Sequence, residues 1–115
     1  MKHALFPVGE LPPGEMRAVR VENVAIVVAR TADGDLHALR DVCSHHGARL
    51  SHGRLERLVE AGEPGGYKLS DRYALRCPWH GFEFDLESGR CAADEAQRVR
   101  SYPVTVENGM VVVER

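Results

Sequence analysis

The chain has only three cysteines among 115 residues, an odd number that cannot all pair with one another. A disulfide framework is therefore a poor reading of their purpose. No apolar run approaches the length needed to span a bilayer, and the opening Met1-Lys2-His3-Ala4-Leu5-Phe6-Pro7 has no sustained hydrophobic stretch of the kind a secretory signal carries. No fixed-period repeat and no low-complexity tract is visible. Charge of one sign is also missing: the formal net charge is -2, with acidic and basic residues mixed throughout. That balance argues against a nucleic-acid or membrane-surface partner. The expectation is one soluble, cytoplasmic domain over 1–115, large enough to bury a core unaided.

Strand signals dominate what is present. Met16 to Val21, Val24 to Arg30 and Leu36 to Arg40 are rich in Val, Leu and alternating apolar residues. Asp33-Gly34 lies between the second and third runs, and Asn108-Gly109 lies between Val104-Thr105-Val106 and Met110 to Val113. Both dipeptides mark hairpins, because glycine accepts a positive φ. Phe82 to Leu86 alternates with period two before the Ser88-Gly89 turn, as a half-buried strand does. Tyr102-Pro103 reads as the start of the final hairpin. The fold class is mainly β, with antiparallel sheets.

Two short segments carry the chemistry. Cys43-Ser44-His45 and Cys77-Pro78-Trp79-His80-Gly81 each offer one thiolate and one imidazole, and together they form a four-ligand metal set: Cys43, His45, Cys77 and His80. Each pair is mixed, which suits a centre with a sulfur side and a nitrogen side. Zinc fingers usually separate their ligands as two cysteines and then two histidines, so a structural zinc site, which would make the chain a binding module without redox function, fits less well but stays open. A cysteine nucleophile would use one thiol and leave the second loop unexplained. Around the ligands, Gly47 and Gly81 would let the backbone approach the metal centre and Pro78 would restrict its loop. Trp79 would cover the centre or dock a partner. His46 is a neighbour that could bond within the loop, while a solvated loop histidine is the blander reading. Cys91, left over, reads as a small buried hydrophobe.

Cys-x-His with Cys-x-x-His-Gly resembles the signature of the Rieske-type ferredoxins, and the likeness runs from the Val-rich strands to the terminal hairpin. It implies stacked antiparallel β-sheets, with one Rieske-type 2Fe-2S cluster per chain held by two loops, about 43–53 and 77–84. Two thiolates would bind one iron and two imidazoles the other, which removes negative charge and raises the potential into a span of roughly -150 to +300 mV. High-potential members carry an extra cysteine in each loop, and a serine and a tyrosine after the second loop's glycine. Here neither extra cysteine is present and the segment reads Gly81-Phe82-Glu83-Phe84. With fewer donors to the sulfurs, the potential belongs near the low end of that span.

The resemblance further implies a carrier rather than an enzyme. An upstream reductase, often flavin-dependent, would load the electron, and an oxygenase of the aromatic-ring dioxygenase type or another redox enzyme would receive it in a transient encounter. His45 and His80 would form the exit route. A small subunit of a redox enzyme such as nitrite reductase is the alternative within the same fold. The 31 residues from 46 to 76 exceed the connection usual in the family, so an insertion is expected at about 56–72. Gly62-Glu63-Pro64-Gly65-Gly66 forces a turn there, and the spacing of Leu55, Leu58 and Val59 leaves a short helix or an extended hairpin open.

Overall fold

The computed structural model describes residues 1–43, 47–61, 67–79, 81–94 and 96–115. Among the described residues ten strands run in the order β1 (Lys2–Pro7), β2 (Met16–Val21), β3 (Val24–Arg30), β4 (Leu36–Arg40), β5 (Arg54–Ala61), β6 (Tyr67–Arg76), β7 (Glu83–Asp85), β8 (Ser101–Tyr102), β9 (Val104–Glu107) and β10 (Met110–Glu114). They form three antiparallel sheets with strand orders β1-β10-β9, β2-β3-β4-β8 and β5-β6-β7. Short 3-10 turns at Val8–Glu10 and Leu50–His52 are the helical elements among the described residues. None is long and apolar enough to cross a membrane.

The Val-rich run Val24–Arg30 is nearly continuous in apolar residues because β3 is buried on both faces, and a strand so placed has no solvent side to alternate toward. Ile26 and Val28 point into one core with Phe6, Leu11, Val21, Ala38, Tyr102, Val111 and Val113. Val27 and Ala29 point into the other, which holds Leu39, Leu50, Leu75, Phe84, Cys91 and Val99 together with Cys43 and Cys77. Adjacent residues of one strand therefore feed two cores. The second core is roofed by the β5-β6-β7 sheet through the in-register row Leu55, Leu75 and Phe84. Cys91 is buried in it and bridges to Phe84, as a small apolar residue would.

Over 56–61 and 67–72 the chain forms the paired strands β5 and β6, so the helix alternative does not hold there; the expected turn at Gly62-Glu63-Pro64-Gly65-Gly66 lies outside the described residues. Leu55 faces Leu75 in the regular part of the ladder, whereas the register shifts between Arg57 and Val59. Leu58 sits at that irregularity, and the broken alternation there imitates helical spacing. Tyr102 does not open the last hairpin: it ends β8, paired with Ala38 of β4, and the hairpin begins at Val104.

Candidate metal centre

Cys43 and Cys77 follow strands of two different sheets and meet within the second core. Each is almost wholly buried and neither is in a disulfide. Their loops are built alike. The Cys43 N–H donates to the Ala48 carbonyl at 2.7 Å, and the Cys77 N–H donates to the Phe82 carbonyl at 2.7 Å, so each closes a loop of the same length. One residue before each acceptor stands a glycine with φ of +70°, Gly47 in one loop and Gly81 in the other. A side chain would be strained at both positions, which explains the two glycines physically. Gly47 also donates its N–H to the Cys43 carbonyl at 2.9 Å.

The two sulfurs lie close enough to interact directly. Burial pushes the Cys77 thiol up, a hydrogen bond from the Trp79 backbone works against the rise, and the neighbouring Cys43 adds to it. Two unlinked thiols packed together in a dry core gain little from each other. A metal centre that binds both as thiolates gives the arrangement a reason, and the donor set fits an iron-sulfur cluster. Pro78 and Trp79 face solvent on the second loop, Trp79 with 54 % of its surface exposed. His45, His46 and His80 lie outside the described residues, so the nitrogen side of the ligand set remains an expectation from the sequence. No group of three or more metal-binding side chains occurs among the described residues.

Residues that the sequence reading passed over hold these loops in place. Asp41, two positions before Cys43, is fully buried; its carboxylate accepts the Ser51 N–H at 2.7 Å and the Ser51 hydroxyl at 2.6 Å, with an Arg49 Nη atom at 3.8 Å. That carboxylate ties the start of the first loop to the 3-10 turn at its end. On the other side, Asp85 accepts from Arg72 Nε at 2.7 Å and from the N–H groups of Glu87 and Ser88 at 2.8 and 3.1 Å. Burial opposes its charge, but the Arg72 hydrogen bond and these N–H groups prevail and hold the carboxyl below the usual range. Gly53 lets the two loops touch: a Cβ there would lie 1.7 Å from the Arg76 carbonyl oxygen, just before Cys77. Neither a motif nor a spacing marks Asp41 or Gly53 in the sequence.

Two buried, unbridged thiols on loops of matching construction suit an iron-sulfur protein rather than a disulfide-stapled one. Residues 1–103 match the Rieske 2Fe-2S domain, and the chain belongs to that family. The cofactor is accordingly a Rieske-type 2Fe-2S cluster. The chain is 29 % identical over 109 residues to the 3-phenylpropionate/cinnamic acid dioxygenase ferredoxin subunit of Escherichia coli K12, covering 94 % of this chain and 88 % of that protein. It is 31 % identical over 106 residues to the ferredoxin component of the p-cumate 2,3-dioxygenase system of Pseudomonas putida, covering 91 % and 78 %. Among solved structures, a Mycobacterium tuberculosis protein assigned as the small subunit of an NADH-dependent nitrite reductase superposes with a TM-score of 0.81 over 100 % of this chain and 95 % of that one, at 24 % identity. At that identity the likeness speaks for the fold.

Proposed function

We propose that this chain is a one-electron carrier, a ferredoxin component that takes electrons from a reductase and delivers them to an oxygenase. The observation that carries the reading is the pair of buried thiols, Cys43 and Cys77, held under two loops of matching construction. The sequence relatives favour the oxygenase partner, since the two described above are both named as ferredoxin parts of dioxygenase systems. In this reading the chain works as one domain with ligand loops at 43–53 and 77–84, and the hairpin over 56–72 is an addition to the link between them.

The cluster, when bound, takes up one electron and gives it back. The residues of this chain do the rest. Cys43 and Cys77 would anchor it from inside the core, and His45 and His80 would complete the ligand set and serve as the exit route for the electron. Gly47, Pro78 and Gly81 shape the two loops, His46 stands beside a ligand, and Trp79 spreads an aromatic face over the solvent side. The upstream reductase is flavin-dependent and both encounters are transient, as small contacts around one tip would make them. Unpaired thiols as ligands suit a reducing compartment, which supports a cytoplasmic location.

The test is direct. Reduced holo-protein should give the Rieske EPR signal and contain acid-labile sulfide, and His45→Cys or His80→Cys should change or abolish that signal. Colourless protein carrying stoichiometric zinc, or a spectrum indifferent to both substitutions, would overturn the assignment.

A further inference from the structure

At the base of the β5–β6 hairpin, Arg54 and Arg76 stand directly opposite each other in the strand register. Like charges so placed repel, and sheets normally avoid them. Glu56 answers one of the two, with its carboxylate 3.5 Å from the Arg76 guanidinium. Arg54 is exposed, and among the described residues it has no ion pair. The two arginines, with His52, wall a groove of about 540 Å³ whose remaining surface comes from Gly53 and from Cys77, Pro78 and Gly81 of the second ligand loop. No carboxylate lines it among the described residues. The Arg76 guanidinium reaches across to Gly81, where an added Cβ would lie 2.9 Å from its Nη atom. A cationic groove thus opens on the same loop that carries Cys77, in a chain whose net charge is -2.

We infer that this groove is the electrostatic part of the partner-docking surface, and that it receives a carboxylate side chain from an acidic patch on a protein redox partner, with Arg54 as the principal contact. The inference rests on the electron-carrier reading. An unneutralised arginine facing a second arginine is a local cost to the fold that a partner carboxylate relieves, and the groove's place beside the ligand loop puts that carboxylate where the electron leaves. Opposite charge on the partner then raises the encounter rate and fixes its orientation. A neutral partner would gain nothing from Arg54.

Two small oxidants of opposite charge test the groove without the natural partner. Reduced holo-protein is mixed by stopped flow with ferricyanide, which takes one electron to become ferrocyanide, or with hexaamminecobalt(III), which takes one electron to become cobalt(II). At low salt, Arg54→Glu should slow the ferricyanide reaction by about tenfold and speed the cobalt reaction, while Arg20→Glu, on the exposed face of β2, should change either by less than about twofold. A Glu-rich decapeptide should slow ferricyanide oxidation of the wild type at concentrations where inorganic phosphate does not. Arg54→Gln, which only removes the repulsion, should fold at least as stably as wild type and give intermediate rates. Equal effects of Arg54→Glu and Arg20→Glu would overturn the inference, and so would phosphate competing as well as the peptide, because the groove would then be a small-anion site. Both outcomes leave the Rieske EPR signal intact; its absence from the wild type would instead bring down the electron-carrier reading and the docking inference with it.

Discussion

Removing the Asp41 carboxylate should loosen the first ligand loop more than any other single change near it. The group is fully buried and accepts two short hydrogen bonds from Ser51, with an arginine at 3.8 Å. A hydrogen bond to a charged group contributes roughly 1.5–3 kcal/mol net, but the buried carboxylate also bears a desolvation cost that its deletion returns. Two such bonds less that cost give a loss of about 3 kcal/mol for Asp41→Ala, part of it from the Ser51 N–H left without an acceptor. At roughly 4 °C per kcal/mol for a chain of this size, the melting temperature should fall by about 12 °C. Asp41→Asn keeps an acceptor oxygen and should lose about half as much. The assay is thermal unfolding by circular dichroism beside the decay of visible absorbance in the holo-protein. Because Asp41 clamps the loop that bears Cys43, cluster loss should precede or accompany unfolding in Asp41→Ala. A melting temperature within about 2 °C of wild type, with unchanged cluster lifetime, would refute the reasoning.

Gly53→Ala should also be damaging, since its methyl would fall 1.7 Å from the Arg76 carbonyl oxygen and the backbone before Cys77 would have to move; a loss of about 2 kcal/mol in urea unfolding, with poor cluster incorporation, is expected. Glu83→Gln should stabilise at neutral pH. Burial first, and then hydrogen bonding with and repulsion from Glu56, push the Glu83 carboxyl up, so the native state favours its protonated form and stability is lost as pH rises through the raised value. The gain, about 0.5 kcal/mol at pH 7, should vanish near pH 4, and a gain independent of pH would contradict the cause. Asp85 runs the opposite way: its carboxyl is held down, so its contribution is present above the ordinary carboxylate value and lost as pH falls through the lowered one. Urea midpoints of Asp85→Asn between pH 3 and 6 should accordingly vary less than those of wild type. Finally, protein-film voltammetry should place the midpoint near the low end of the Rieske span, around -150 mV; a value well above zero would mean that donors other than hydroxyls at positions 82 and 84 stabilise the reduced state.

Where local chemistry sets local structure, the sequence was readable. β2, β3 and β4 fall where their Val-rich runs and the Asp33-Gly34 turn put them, and the closing hairpin follows from Asn108-Gly109. Its bounds depend on neighbours in the chain and on little else. β1 was not seen, because Lys2–Pro7 has only a weak alternation and is a strand by virtue of β10, more than a hundred residues away, with a register shift between Ala4 and Phe6. In the same way, the two thiols that the structure brings together stand in two short motifs, whereas nothing in the sequence marks the groups that brace their loops. Asp41 is an ordinary polar residue until Ser51 is brought against it, and Arg54 is an ordinary cation until the hairpin sets it opposite Arg76.

The two-sided burial of β3 means that the molecule has no independent halves. Whatever melts the compartment holding Cys43 and Cys77 strips Val27 and Ala29 of their packing, and the same backbone carries Ile26 and Val28 into the far compartment. Amide hydrogens along β3 should therefore exchange only through complete opening, with one common opening free energy, and exchange should slow when the cofactor binds at Cys43 and Cys77. The strand acts as a party wall, so a ligand received on one side of it lends its binding energy to rooms it never enters.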